Sequence, residues 1–109
     1  MNSAALLKEK SMTEKTVSKV VTINNEQGLH LRPAELFARL ANQFESNVEL
    51  IKDSERVDGK SILNIVTLGA AKGTQLRIEA AGVDAEQAIA ALAELFDNEF
   101  LDTETADQT

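Results

Sequence analysis

The single proline of the 109-residue sequence, Pro33, restricts where a helix can lie. Proline lacks an N–H group and has a fixed φ, so it fits the first turn of a helix and disrupts the interior. Behind it the apolar residues recur at helical spacing: Leu36, Phe37, Leu40, Ala41 and Phe44. We therefore predict a helix from Leu31 to Phe44. This helix places His30, the only histidine, at or just before its N-terminus.

His30 and Arg32 are suited to phosphoryl chemistry at such a position. A helix N-terminus offers free N–H groups and the positive end of the macrodipole, which favour an anion. An imidazole nucleophile and a nearby guanidinium complete a minimal apparatus for holding a phosphoryl group. A lone histidine is more often a packed or solvated side chain than a reactive one, so both interpretations stay open at this point. Because proline biases its predecessor towards extended conformations, Arg32 is a candidate to lie just outside the helix.

Four short segments have the pattern of β-strands, and two further segments have that of helices. Alternation and β-branched residues predict strands at Thr16–Ile23, Asn47–Asp53, Arg56–Asp58 and Thr74–Ala81. Ser61 is a natural N-cap for a short helix that Gly69 ends. Asp84 is expected to cap the last helix, whose apolar stripe comprises Ala85, Ala88, Ile89, Leu92, Leu95, Phe96 and Phe100.

The element order β-α-β-β-α-β-α predicts an α+β fold. Each strand has one apolar face, which the helices must cover. We predict a two-layer open-faced sandwich, a four-stranded antiparallel sheet covered on one face by three helices. Residues 16–100 form this domain, preceded by a flexible N-terminal extension at 1–15 and followed by an acidic disordered tail at 101–109. Met12 is an alternative to Met1 as the biological start.

The residue inventory narrows the kinds of site that the chain can carry. The sequence has no cysteine, so disulfides and cysteine nucleophiles are excluded, and a reducing cytoplasm fits. One histidine without cysteine argues against a structural zinc site. We expect neither a metal nor a cofactor.

The charge distribution and hydropathy exclude further classes of function. Residues 16–83 have no net charge, whereas residues 84–109 contain eight acidic residues and no basic one. Without a basic face or stacking aromatics, nucleic-acid binding is not expected. No stretch is long and apolar enough to span a bilayer, and residues 1–15 lack the apolar core of a signal peptide. We therefore expect a cytoplasmic protein without membrane insertion, and a monomer.

Three motifs resemble those of the HPr family, the histidine-containing phosphocarrier proteins of the bacterial phosphoenolpyruvate:sugar phosphotransferase system. The segment Gly28–Ala34 is similar to the family's active-site signature. Lys60–Leu63 is similar to the segment around the family's regulatory serine, and Thr67–Thr74 to the turn before its last strand. The resemblance extends from about Thr16 to Phe100 and implies the fold predicted above.

The resemblance implies a stoichiometric phosphoryl carrier. His30 would accept a phosphoryl group on Nδ1 from phosphorylated enzyme I, which is charged by phosphoenolpyruvate. Arg32 would stabilise the group, and an enzyme II A domain would receive it in sugar uptake or its regulation. No second general acid–base group or metal cluster accompanies His30 in the sequence, which argues against an independent enzyme.

Ser61 has two compatible roles. As an N-cap it stabilises its helix by about 0.5–2 kcal/mol relative to alanine. The resemblance adds the role of a regulatory phosphosite, with HPr kinase/phosphorylase and a transcriptional regulator as further partners. The alternative function is therefore a regulatory HPr-like binding module controlled by Ser61 phosphorylation, without sugar transport. An unrelated α+β scaffold with accidental motifs is a third hypothesis.

Partner binding is expected around His30 and the short helix. A short helix cannot bury its whole circumference, so some of its apolar residues should form an exposed patch near His30. The resemblance adds a basic rim for an acidic partner. Two residues depart from the family pattern: Leu31 stands where a small or hydroxyl residue is common, and Glu35 adds a negative charge one turn after His30. The expected partner-binding residues are Leu31, Glu35, Arg39, Lys60, Ile62, Leu63 and Val66.

Overall fold

Four short strands form one antiparallel sheet. The computed structural model describes residues 15–100. Its strands are β1 (Thr16–Thr22), β2 (Asn47–Lys52), β3 (Glu55–Asp58) and β4 (Gln75–Ala81). Their order in the sheet is β1-β4-β2-β3, and every neighbouring pair is antiparallel. β3 is thus an edge strand that pairs with β2 as a hairpin.

Three helices cover one face of this sheet: α1 (Leu31–Ala41), α2 (Ile62–Thr67) and α3 (Ala85–Asp97). α3 packs against β1 and β4, and α1 contacts both other helices. The α+β open-faced sandwich of order β-α-β-β-α-β-α is therefore confirmed. Within residues 15–100, none of the helices has the length and apolar character needed to cross a bilayer.

The core lies between the sheet and the helices because alternate strand residues face the helices. On β4, Leu76, Ile78 and Ala80 are buried, as their alternation predicted. α1 and α3 contribute Phe37 and Phe96, whose rings meet edge to face with centroids 6.0 Å apart. Such contacts bury large apolar area and fix the distance between the two helices.

The domain limits proposed from the sequence stay a prediction. The expectations for residues 1–14 and 101–109, and the choice between Met1 and Met12, concern parts of the chain outside the described residues. Lys15, which we grouped with the extension, forms an ion pair with Glu86 at 3.0 Å. Its carbonyl oxygen also accepts a hydrogen bond from the Gly82 N–H at 2.9 Å.

α1 ends at Ala41, three residues earlier than the apolar spacing predicted. The side-chain amide of Asn42 donates hydrogen bonds to the carbonyl oxygens of Ala38, at 2.8 Å, and Lys60, at 3.1 Å. These bonds satisfy a carbonyl at the helix end and tie it to the segment before α2. The prediction failed because Phe44 still packs against the core after the helix has ended. An apolar residue at this position fits the helical spacing, although Phe44 lies outside the helix.

Asp84 occupies the N-cap position of α3 but does not cap the helix with its side chain. Its carboxylate instead accepts hydrogen bonds from the Ser46 hydroxyl at 2.6 Å, the Ser46 N–H at 3.0 Å and the Glu45 N–H at 2.9 Å. The predicted cap was wrong because these donors, on the connection between α1 and β2, take the carboxylate oxygens. The Ser46 hydroxyl, helped by the Glu45 N–H, lowers the pKa of Asp84 from its ordinary value of 3.8.

Replacing Asp84 by asparagine is expected to make the protein less stable at pH 7. Because the folded-state pKa of Asp84 is lowered, its contribution is present above about pH 3.8 and is lost as the pH falls through the folded value. The difference in unfolding free energy between wild type and Asp84→Asn, measured by urea titration, should therefore shrink below that pH. Asp97→Asn, an exposed site on the same helix, should change stability by less than about 0.5 kcal/mol. A difference for Asp84→Asn that is unchanged from pH 7 to pH 2 would contradict this role.

Candidate functional site

His30 is the N-cap residue of α1 and has extended backbone angles, φ −89° and ψ −164°. Its carbonyl oxygen accepts the first hydrogen bond of the helix, from the Ala34 N–H at 3.0 Å. Its side chain is exposed and makes no capping hydrogen bond. The imidazole therefore takes no part in the hydrogen bonds of the helix and is accessible to another protein. His30 lies at the helix N-terminus, as the position of Pro33 predicted.

The first turn of α1 leaves N–H groups available next to the imidazole. Leu31 and Arg32 are the first two helical residues, so their N–H groups precede the first intrahelical hydrogen bond. Pro33 is third, where its lack of an N–H costs no hydrogen bond. The sequence left open whether Arg32 lies just outside the helix, and in the structure it lies inside. The buried residues of α1 that follow it fix the helix start and override the conformational bias before proline.

The loop before His30 is pinned to the connection that follows α2. The Leu29 N–H donates to the carbonyl oxygen of Ala70 at 2.9 Å, and the Leu29 side chain is buried in the core. The side-chain amide of Asn25 donates to the Gly28 carbonyl oxygen at 2.6 Å. Gly28 itself has φ +74°, and a Cβ there would lie 2.6 Å from the Ala70 oxygen. Hydrogen bonds and side-chain burial therefore fix the backbone at Gly28 and Leu29, the two residues before His30.

His30 and Arg32 line one side of a cleft of about 230 Å³. The other side comes from the end of α3, where Glu99 and Phe100 both have positive φ, 54° and 63°. The Phe100 N–H donates to the Leu95 carbonyl oxygen at 2.8 Å, which closes the helix end in a Schellman-type turn. The residues lining the cleft are Asn25, Glu26, Gln27, His30, Arg32, Pro33, Glu99 and Phe100.

The side of the cleft formed by the end of α3 was missed from the sequence. Phe100 was predicted to belong to the apolar stripe of the last helix, and it is indeed buried. It lies after the helix, however, because α3 ends at Asp97. The Phe100 ring packs against the Phe96 ring, with centroids 5.1 Å apart. The only signal in the sequence was an apolar residue at the end of the stripe, and nothing local related it to His30.

One residue that lines the cleft, Glu26, forms an exposed ion pair. The Lys72 ammonium donates to the Glu26 carboxylate at 2.8 Å. This hydrogen bond and the positive charge of Lys72 lower the pKa of Glu26. The same bond raises the pKa of Lys72, with a smaller effect from the charge of Glu99. The pair links the loop before His30 to the connection between α2 and β4.

Two of the predicted partner-binding residues form an ion-pair chain with Arg32 on α1. Glu35 Oε1 lies 4.0 Å from Arg32 Nη1, and Glu35 Oε2 lies 3.3 Å from Arg39 Nη2. The spacings are three and four residues, which place side chains on the same helix face. Glu35 therefore stands between two guanidinium groups, one of which lines the cleft.

Ser61 caps α2, as predicted. Its hydroxyl oxygen accepts hydrogen bonds from the Asn64 N–H at 3.2 Å and the Asn64 side-chain amide at 3.0 Å. The residue is half-buried, so its hydroxyl is partly reachable from solvent. Lys60, expected at the basic rim, donates from its ammonium to the Phe44 carbonyl oxygen at 2.8 Å. Lys60 therefore has a structural contact with the segment that follows α1, and its part in partner binding stays a prediction.

The apolar residues expected at the docking surface divide into two groups. Leu31 and Leu63 are exposed, at 62% and 75% of their surface. Ile62 and Val66 are partly buried and pack against the core. Only Leu31 and Leu63 therefore expose most of their side chains. The role of these four residues in partner binding stays a prediction.

Comparison with known proteins assigns the chain to a family. A family model described as "PTS HPr component phosphorylation site" matches residues 17–98, which include His30, Arg32 and Ser61. The chain belongs to the HPr family. This membership confirms the resemblance based on the three sequence motifs.

Individual members of the HPr family show how much of the chain is shared. The chain is 37% identical over 84 residues to the phosphocarrier protein HPr of Treponema pallidum, covering 77% of this chain and 96% of that protein. It is 35% identical over 92 residues to the multiphosphoryl transfer protein of Haemophilus influenzae, covering 82% of this chain and 18% of that protein. Its structure is similar to the crystal structure of HPr-C-His from Thermoanaerobacter tengcongensis, with a TM-score of 0.75, 39% identity and coverage of 77% and 94%. The shared region is therefore the complete HPr fold.

Replacing Gly28 by alanine is expected to destabilise the protein more than replacing Gly69. Both glycines have positive φ, but a Cβ at Gly28 meets the Ala70 carbonyl oxygen, whereas one at Gly69 has nothing within 4 Å. Gly69→Ala should therefore cost only the strain of a left-handed conformation, about 1–2 kcal/mol. Gly28→Ala should lose a further 1–3 kcal/mol, roughly the cost of overpacking, in urea unfolding. Equal losses for the two variants would contradict the close approach of Gly28 to Ala70.

Proposed function

We propose that the protein is a phosphocarrier of the bacterial cytoplasm that carries a phosphoryl group on His30. It receives the group from phosphorylated enzyme I, ultimately from phosphoenolpyruvate, and passes it to enzyme II A domains in sugar uptake or its regulation. The observation that carries this proposal is an exposed imidazole at the N-cap of α1 with Arg32 in the same cleft. Membership of the HPr family supports it.

The transfer requires little covalent machinery from the protein. One ring nitrogen of His30, Nδ1 by analogy with the family, attacks the phosphorus atom. The bond between phosphorus and the donor histidine breaks as the new P–N bond forms. In the second transfer a nucleophile of the acceptor attacks phosphorus, and the bond to His30 breaks. Catalysis of this kind rests on alignment and charge stabilisation. The N–H groups of Leu31 and Arg32 and the Arg32 guanidinium are the donors suited to the phosphoryl oxygens.

The proposed docking surface combines Leu31 and Leu63 with the basic residue Arg39. Exposed apolar side chains are typical of interaction sites, whose centre is apolar and whose rim is polar. Arg39 is exposed and could meet an acidic partner. Ile62, Val66, Lys60 and Glu35 complete the proposed surface.

We propose regulation at Ser61 as a second function of the same surface. A phosphate there would sit at the N-cap of α2, where its negative charge favours the helix and repels an acidic partner. A kinase/phosphorylase and a transcriptional regulator are the partners that this regulation would require.

Incubation with enzyme I and labelled phosphoenolpyruvate should place acid-labile phosphate on the wild type and none on His30→Ala. The chain has one histidine, so a phosphohistidine can form only at His30. Ser61→Ala distinguishes the two phosphosites. Acid-stable label from ATP and a serine kinase that is lost in Ser61→Ala, on a protein that enzyme I leaves unlabelled, would favour the regulatory binding module instead. A wild type that stays unlabelled with several enzymes I would contradict carrier function.

Replacing Leu63 by alanine is expected to raise the KM for transfer from enzyme I about tenfold, with little change in kcat. Truncating a side chain that dominates a protein interface costs more than about 1 kcal/mol of binding free energy. Val83→Ala is the matched control, because Val83 is also exposed, at 82%, but lies in the turn before α3. An equal effect of the two substitutions would exclude Leu63 from the docking surface.

A further inference from the structure

Glu35 is a carboxylate that lies within ion-pair distance of Arg32. The two side chains are 4.0 Å apart, too far for a hydrogen bond but close enough for charge attraction. Both are about one-third exposed, at 37% for Arg32 and 39% for Glu35. The other oxygen of Glu35 is 3.3 Å from Arg39. A phosphoryl group on His30 would therefore find Arg32 already under the attraction of a carboxylate.

We propose that Glu35 is a positioning residue that competes with the phosphoryl group on His30 for the guanidinium of Arg32. The inference rests on the carrier function proposed above and concerns the strength of the phosphorylated protein as a donor. By drawing Arg32 towards itself, Glu35 lowers the stability of the phosphorylated state relative to the free imidazole. The carrier then gives up its phosphoryl group more readily to the next acceptor.

The charged residues that line the cleft explain why competition for Arg32 would affect the phosphorylated state. Among the described residues that line it, Arg32 is the only arginine or lysine, and Glu26 and Glu99 line it as well. Lys72, which is not among the lining residues, is hydrogen-bonded to Glu26. A phosphoryl dianion on His30 would thus depend on one guanidinium for side-chain charge compensation. A carboxylate that attracts the same guanidinium acts directly on the equilibrium.

The competition can be measured as an equilibrium between two carriers. Equal amounts of wild type and Glu35→Gln are mixed with a catalytic amount of enzyme I and less phosphoenolpyruvate than total carrier. The phosphoryl group moves reversibly between the two histidines through enzyme I. Mass spectrometry then gives the phosphorylated share of each protein. Because enzyme I is present only in catalytic amount, the equilibrium ratio depends on the relative stabilities of the phosphorylated and unphosphorylated carriers in solution. A change in docking to enzyme I therefore alters the rate of exchange and leaves the ratio unchanged.

The ratio of phosphorylated to free protein is expected to be about three to five times higher for Glu35→Gln than for the wild type. At 1.4 kcal/mol per tenfold change this equals about 0.6–1 kcal/mol. Glu86→Gln is the matched control, because it removes the same charge from an exposed ion pair with Lys15 at the start of α3. Its phosphorylated share should equal that of the wild type.

A double-mutant cycle separates competition for Arg32 from simple repulsion between Glu35 and the phosphoryl group. In the Arg32→Gln background, the additional Glu35→Gln change should alter the share by less than about twofold, because the contested guanidinium is gone. An equal effect in both backgrounds, or a share for Glu35→Gln no larger than that of the wild type, would overturn the inference while leaving carrier function intact. Absence of label on wild-type His30 would overturn both.

Discussion

The hydrogen bond from the Leu29 N–H to the Ala70 carbonyl oxygen determines where the functional site lies in the fold. It joins the residue before His30 to the connection that follows α2. Gly28 makes the approach possible, because any Cβ at that position would meet the Ala70 oxygen. The buried side chain of Leu29 holds the same point from the core. His30 therefore combines a fixed backbone with an exposed ring, which is the condition for a group that successive proteins must reach in the same orientation.

Much of the fold follows from local patterns in the sequence, and the failures have a common cause. Alternation on β4 and the position of Pro33 identified elements whose buried faces depend on their own residues. The end of α1 and the role of Asp84 depend instead on partners elsewhere in the chain. Asn42 bonds to the carbonyl oxygen of Lys60, and the Asp84 carboxylate takes its donors from Glu45 and Ser46. Such contacts override intrinsic capping and propensity, which are weak terms.

The candidate site divides in the same way. His30, Arg32 and the amides of the first helical turn are neighbours along the chain, so their proximity could be predicted from the sequence. Glu99 and Phe100 reach the cleft only because α3 ends beside α1 in the folded protein. The positive φ of Glu99 is also unmarked in the sequence, since glycine is the usual residue at such a helix end. The chemistry was therefore predictable, and the shape and charge of its surroundings were not.

The charges around His30 fit transfer better than tight binding of an anion. A site built to retain an anion would add cations to the helix N-terminus and exclude carboxylates. Here Glu26 and Glu99 line the cleft, and Glu35 faces the guanidinium of Arg32. A carrier must release its group to the next protein, so interactions that stabilise the loaded state alone would slow that step. In the proposed phosphorylated state, opposing charges of this kind would leave the phosphoryl group stable enough to reach the next protein and reactive enough to be transferred.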